Sequence, residues 1–264
     1  MCYNISYLTK KRLDYAKRLG EFADAEELEK VLDYLSKKAN PVYYTSGFAH
    51  PDVPVITNMD SSKIQLFSWG LIPAWVKDIK QAVEISSKTL NARGEEMFDK
   101  PSFRLSARQK RCLVLIDGFF EFHWVDSQSV PFYIQLKNRE PMTLAGLWET
   151  WEYPAEQIRR NTFSIVTTRA NPLMKFIHNK PKGSEGSRMP VIIPQESGET
   201  WLNFEPSGDN MDYARIKDMI TPFDENQLDA YPVASLKGKS GVGNSPRAFE
   251  KMDYPVLHKK RSGK

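Results

Sequence analysis

The chain is poor in the residues that bind metals or form cross-links. Its 264 residues include two cysteines and four histidines, with no Cys-x-x-Cys pair. Two cysteines exclude a disulfide framework. So sparse a set of soft ligands offers no metal site, and no cofactor is expected. Long apolar runs are missing too. No stretch can cross a bilayer, and Met1 to Arg12 lacks the apolar core of a signal peptide, so a cytoplasmic protein with no membrane partner is expected. Charge is nearly balanced, with 37 Lys and Arg against 33 Asp and Glu. A net charge of +4 permits a nucleic-acid partner without demanding one. Much of that surplus lies in the basic end, Lys259 to Lys264, which reads as a solvated tail. A phosphate-binding P-loop is also absent: Gly238-Lys239-Ser240 has its ending, but Val233 stands where the motif needs glycine.

What the chain does have is apolar and aromatic material, 41% and 12% of residues, broken by seventeen prolines and fourteen glycines. That mixture builds a sizeable core from short elements and turns. Met1 to Leu8 reads as a strand. Residues 9–38 read as two helices, the second with Asp24 and Glu27 at capping-box spacing and Leu28, Val31, Leu32 and Leu35 on one face. The prolines and aromatics of 42–57 suggest irregular extended chain. Lys63 to Gly70 reads as a strand into a tight turn, and Arg111 to Val125 as one long strand whose first half is continuously apolar. Strands follow at 131–136, 142–150 and 162–168, with a polar loop at 156–161. Asn171-Pro172 opens a short helix that ends at His178. A strand at 188–194, a helical patch at 200–204 and a strand at 231–233 precede a loop and tail over 238–264. With no internal repeat and no regular βαβ alternation, the expected class is α+β: one domain over 1–264 with a curved, barrel-like, mainly antiparallel sheet flanked by helices.

The candidate chemistry begins at Cys2. Removal of Met1 would leave a free α-amine and a thiol on one short carbon skeleton. Their reference pKa values, about 7.7–8.0 and 8.5, leave each with a reactive fraction near neutral pH. An aldehyde can be captured by the amine as a Schiff base and then by the sulfur as a five-membered thiazolidine. On position alone, Cys2 could equally be a small apolar residue packed in a strand. Cys112, inside the run Cys112-Leu113-Val114-Leu115-Ile116, reads as buried and inert. Asn91 and Arg93, two apart on extended chain, point to one side, as a substrate-orienting amide and an anion-binding guanidinium or as solvated surface groups. Glu121 alternates with aromatics in Phe119-Phe120-Glu121-Phe122-His123-Trp124. Buried there, its pKa rises and it becomes a candidate acid or base; on an edge strand it would simply face water. His178 at a helix end is a candidate proton carrier or an ordinary C-terminal cap.

Taken together, Met1-Cys2, Trp69-Gly70-Leu71-Ile72-Pro73-x-Trp75, Asn91-Ala92-Arg93-Gly94-Glu95, Arg111-Cys112 through Gly118-Phe119-Phe120-Glu121-Phe122, and His178 with Arg188-Met189-Pro190 resemble the SOS-response-associated peptidase (SRAP) family over roughly residues 1–193. The resemblance implies a mixed α+β domain around a barrel-like sheet. It also implies a sensor of abasic sites in single-stranded DNA that crosslinks through its mature N-terminal cysteine. By motif, Cys2 becomes the nucleophile, Asn91 orients its amine, Glu121 opens the sugar ring and shuttles protons, and His178 assists at the sugar oxygen. Arg93 becomes a phosphate ligand, with Arg188, Trp69 and Trp75 also on the DNA side, the tryptophans as stacking surfaces or core residues. Two features depart from the family pattern. Cys2-Tyr3-Asn4 replaces the common Cys-Gly-Arg opening, and the loop between His178 and Arg188 is longer. The helices over 9–38 read as an insertion.

Three functions fit these residues: an abasic-site crosslinking enzyme with possible lyase activity, an N-terminal-cysteine amide hydrolase or autoprotease, and a non-covalent single-strand-binding module. Only the first needs both an aldehyde and a free amine.

Overall fold

Strands dominate the computed structural model, which describes residues 2–10, 14, 15, 30, 33, 40–180, 186–203 and 214–258. The two helices expected over 9–38 therefore lie largely outside the described residues, as does the basic end from 259. Strand β1 (Asn4–Tyr7) pairs antiparallel with β2 (Val42–Ser46). β3 (Asp52–Thr57) and β4 (Asp60–Trp69) form a hairpin. The expectation that 42–57 is irregular is thus corrected: two strands flank a turn at Gly47–Ala49. Pro54 is tolerated because pairing of β3 with its other neighbour begins only at Val55.

Helix α1 (Ile79–Lys88) starts on Asp78, whose carboxylate accepts the Gln81 N–H at 2.8 Å. β5 (Asn91–Arg93) and α2 (Arg104–Gln109) follow. The stretch expected as one strand from Arg111 to Val125 is two, β6 (Arg111–Ile116) and β7 (Gly118–Val125), in different sheets. The break is chemical. The carboxylate of fully buried Asp117 accepts the Thr9 N–H at 2.7 Å and the Thr9 and Tyr15 hydroxyls at 2.5 Å each. Beside it, Gly118 lies so close to the next strand that a Cβ would come within 2.4 Å of the Ile134 carbonyl.

β8 (Gln128–Leu136), β9 (Met142–Tyr153) and β10 (Ile158–Arg169) complete the main strands. Most of the expected polar loop at 156–161 is the start of β10; the turn itself is Pro154–Glu156, closed by Gln157 in the left-handed region. Helix α3 (Pro172–Ile177) is capped as expected, the Asn171 side chain accepting the Met174 N–H at 2.8 Å. The strand expected over 188–194 is only β11 (Arg188–Pro190), with a single bridge from Ile192 to Leu144 beyond it. α4 (Gly198–Asn203), α5 (Ala214–Met219), β12 (Leu228–Pro232) and α6 (Pro255–His258) end the described elements.

β4, β3, β6, β9 and β10 close on themselves as a five-stranded barrel, since β10 pairs both β9 and β4. The β10–β4 pair is parallel, unlike the other junctions of the ring. β5 and β11 attach to the far end of β10. A second, antiparallel sheet runs β12-β8-β7-β1-β2. The barrel-like α+β expectation holds, with the barrel as one of two sheets. The irregular chain at 238–258 is no loose tail. Phe249 stacks on Phe120 and Tyr133 of the second sheet, and Asn244 Oδ1 accepts both the Tyr43 and Tyr44 N–H groups.

Gly70, which ends β4, has φ +122°, and a Cβ there would lie 2.7 Å from both the His50 ring and the Ser86 carbonyl. Gly70→Ala is expected to lose about 1–3 kcal/mol of stability from this strain. Urea denaturation checks it, and an unchanged midpoint would show that the turn relaxes freely.

Candidate functional site

Cys2 reaches its place because β1 is an inner strand. Asn4, Ile5 and Ser6 stand opposite Phe120, Phe119 and Gly118 of β7. Carrying that register back sets Tyr3 abreast of Glu121, with Cys2 just beyond. On its other side Cys2 meets β5, where Asn91 Nδ2 donates to the Cys2 carbonyl at 2.8 Å. β5 is held there by parallel pairing with β10, Asn91 beside Ile165 and Arg93 beside Thr167. The Asn91 Oδ1 atom is buried without a hydrogen-bond partner. An orphaned buried acceptor is costly, and this one belongs to the amide that holds the Cys2 carbonyl.

The electrostatics follow from burial. Cys2 is 1% exposed. Its thiol is pushed up to about 12, first by burial and then by the negative charge of Glu121, with the Met1 α-amine and the Asn4 N–H pulling the other way. Glu121 is 8% exposed, on a strand flanked by β1 and β8, so it is not an edge residue facing water. Burial raises its pKa, against the α-amine charge and the Phe122 N–H, which donates to Oε1 at 3.1 Å. His178 follows α3, its N–H donating to the Met174 carbonyl at 2.8 Å. Burial and the α-amine charge drive its pKa down to about 4, while the Arg188 N–H contact at 3.4 Å on Nδ1 acts weakly against them. The ring is therefore neutral near pH 7, with the proton on Nε2. With Met1 in place, Cys2, Glu121 and His178 all feel the charge of the Met1 amine. The structure thus brings these three and Asn91 together.

The other expected residues divide. Arg93 is half-buried and pairs with Glu96 at 3.2 Å; its charge acts on the Tyr3 hydroxyl, which places it beside the site. Trp75 is 43% exposed and open to a stacking partner. Trp69 is not: it is fully buried, its Nε1–H donates to the Leu90 carbonyl at 2.7 Å, and its ring stacks on Phe163. The stacking role expected for Trp69 is corrected to core packing. Arg188 is likewise no DNA-facing cation. It is buried, with Nη2 on Glu95 at 2.6 Å and on the Thr167 carbonyl at 2.8 Å, and Nε on Thr167 Oγ1 at 3.2 Å. Its burial follows from β11 pairing with β10, which turns Arg188 toward Thr167. Sequence reasoning passed over Phe48, which is 58% exposed and packs its ring on Tyr3 at 5.2 Å. The aromatic content of 42–57 was the available signal. Cys112 is buried as expected, its thiol pushed well up by burial. Among the described residues no group of three metal-ligating side chains forms and no helix is long and apolar enough to cross a membrane.

A mixed α+β fold built on a five-stranded barrel thus buries Cys2 against the Asn91 amide, within reach of the Glu121 charge. Comparison with known proteins supplies the family. The model described as SOS response associated peptidase (SRAP) matches residues 1–240, and the chain belongs to that family. Abasic site processing protein YoqW of Bacillus subtilis is 34% identical over 232 residues, 88% of this chain and 96% of that protein. Abasic site processing protein HMCES of Xenopus tropicalis is 27% identical, covering 74% of this chain and 65% of that protein. A crystal structure of a protein from Bacteroides thetaiotaomicron matches with a TM-score of 0.79 and 33% identity, over 95% of this chain and 100% of that one.

The raised pKa of Glu121 has a consequence for stability. Between its unfolded and folded pKa values the native state binds more protons, so stability falls as pH rises through that window. Above the window the buried charge is a net cost. Glu121→Gln is therefore expected to have a higher Tm than wild type at pH 7.5, with the difference vanishing by about pH 4, near the unfolded carboxylate pKa. A variant less stable than wild type at pH 7.5 would contradict the shift.

Proposed function

We propose that this chain processes abasic sites in single-stranded DNA by covalent capture on Cys2 after Met1 is removed. The supporting observation is the placement of Cys2 between Asn91 and Glu121, with an unpartnered Asn91 Oδ1 beside it. That atom is an acceptor suited to an α-amine N–H, so Asn91 would aim the amine while its Nδ2 holds the Cys2 carbonyl.

The amine attacks the aldehyde carbon of the ring-opened sugar, and water leaves to give an imine. The thiol then adds to the same carbon, and its proton ends on the ring nitrogen. The net reaction joins aldehyde and aminothiol and releases one water. A thiol held near pKa 12 stays protonated until its proton is taken, which favours the amine as first nucleophile. Glu121, with its raised pKa, is the group to protonate the departing sugar oxygen and to take the proton back. Neutral His178 would hold a sugar hydroxyl through Nε2–H. Arg93 would bind the phosphate beside the lesion, and Trp75 a flanking base. The names of the relatives, abasic site processing proteins, agree with this target. The protein would thus act in DNA-damage repair, in a cytoplasmic compartment where DNA is exposed.

The test is incubation with an abasic single strand followed by denaturing electrophoresis. Wild type should give a stable adduct, and Cys112→Ala should match it. Cys2→Ala and Cys2→Ser should give no stable adduct. Glu121→Gln should slow adduct formation by roughly 10²–10⁴-fold while DNA binding barely changes. An uncleaved N-terminal tag turns the amine into an amide and should abolish the reaction, whereas a C-terminal tag should not. Undiminished crosslinking by the N-terminally tagged protein would sink the mechanism; adduct-free binding by wild type would leave a binding module.

A further inference from the structure

The turn after β5 holds a group that the proposed reaction leaves unused. Glu96 follows Arg93 by three residues and precedes Lys100 by four. Its Oε1 accepts from Arg93 Nη1 at 3.2 Å, and its Oε2 lies 3.3 Å from Lys100 Nζ. The backbone fixes this spacing: the Glu96 N–H donates to the Arg93 carbonyl and the Lys100 N–H to the Glu96 carbonyl, each at 3.0 Å. Glu96 and Lys100 are open to solvent, at 39% and 59% exposure, and the half-buried Arg93 still reaches it at 33%. Two cations therefore converge on one bidentate oxyanion, each holding one oxygen. The two non-bridging oxygens of a phosphodiester present the same pattern, with the same sign of charge.

The position suits a nucleic-acid strand engaged at Cys2. Arg93 lies two residues along β5 from Asn91, whose amide holds Cys2. Its charge also acts on Tyr3, the residue next to Cys2.

We propose that Arg93 and Lys100 form a phosphate subsite for the nucleotide adjoining Cys2, and that Glu96 is its internal occupant, displaced when the DNA backbone enters. This rests on the reading of Arg93 as a phosphate ligand, and adds Lys100 as a second ligand and Glu96 as a gate. Exposed ion pairs of this kind are weak and screened by salt, so the exchange is easy. The displaced carboxylate nevertheless remains beside the phosphate and repels it. Glu96 thus holds affinity for the backbone below what the two cations alone would give, and strands that do not complete the contacts at Cys2 leave more readily.

The experiment is equilibrium binding, by fluorescence anisotropy, of a single-stranded oligonucleotide carrying a tetrahydrofuran abasic analogue. The analogue has no aldehyde, so crosslinking does not enter the measurement. Glu96→Gln is expected to tighten binding by roughly two- to fivefold at low salt, the range of a released exposed ion pair. The slope of log K against log salt should steepen by about 0.7 for a gained phosphate contact. Glu152→Gln removes the same charge from a carboxylate on the β9–β10 hairpin that faces Arg159 at 3.5 Å, and should change little. Adding Lys100→Ala to Glu96→Gln should remove the gain. Equal effects of Glu96→Gln and Glu152→Gln would reduce the gate to net charge and overturn it. A gain that survives Lys100→Ala would overturn the two-cation subsite. Arg93→Ala separates the two readings: if it weakens binding while Glu96→Gln changes nothing, the phosphate role of Arg93 stands and the gate falls. If Arg93→Ala has no effect, both fall together.

Discussion

Burial of the first strand is the constraint on which the rest depends. β1 lies between β2 and β7, and its ladder with β7 carries Tyr3 to Glu121 and Cys2 one position beyond. At the other end, the buried Asp117 carboxylate takes Thr9 and Tyr15, and Tyr15 in turn accepts the Leu8 N–H at 2.6 Å. A short strand anchored by a buried charge and its donors cannot slide, since a slip would leave that charge unpaired. A one-residue shift would also turn every side chain of β1 to the opposite face. Chemistry at a chain terminus ordinarily suffers from fraying. Here the end of the chain is held by the same pairing that builds the second sheet.

The cost of this arrangement is electrostatic. A carboxylate, a thiol and an imidazole have been taken out of water, and each pKa moves toward its neutral form. That destabilises any charged state at rest, keeping the Cys2 sulfur protonated and the His178 ring neutral near pH 7 and raising the pKa of Glu121. The flank at Arg93, by contrast, stays exposed, where ion pairs exchange readily. The site thus has a buried side at Cys2 and Glu121 and a solvent-facing side at Arg93 and Glu96.

Much of this was legible in the sequence because the signals were local. The capping pair Asn171-Pro172, the alternation through Glu121 and the extended Asn91-Ala92-Arg93 each reflect the geometry of a few neighbouring residues. The misreadings share a different cause. Arg111 to Val125 looks like one strand because an apolar run leads straight into an alternating one, yet it changes sheets at Asp117, a residue whose partners are more than a hundred positions away. Trp69 and Trp75 look alike in the motif, but one stacks on Phe163 of β10 and the other faces solvent. Arg188 reads as a surface cation until its pairing with Glu95 and Thr167 is seen.

The sequence by itself determined the class of fold and the family, because composition, periodicity and motif order are properties of the chain alone. Only the tertiary structure decided which of the candidate residues meet. Cys2, Asn91 and Glu121 are far apart along the chain, and they meet because β1 pairs with β7 while β5, held on β10, reaches the Cys2 carbonyl through Asn91. Burial was decided there as well. The pKa of a carboxylate depends on how much water and which charges surround it, and those are set by the strands that pack around it.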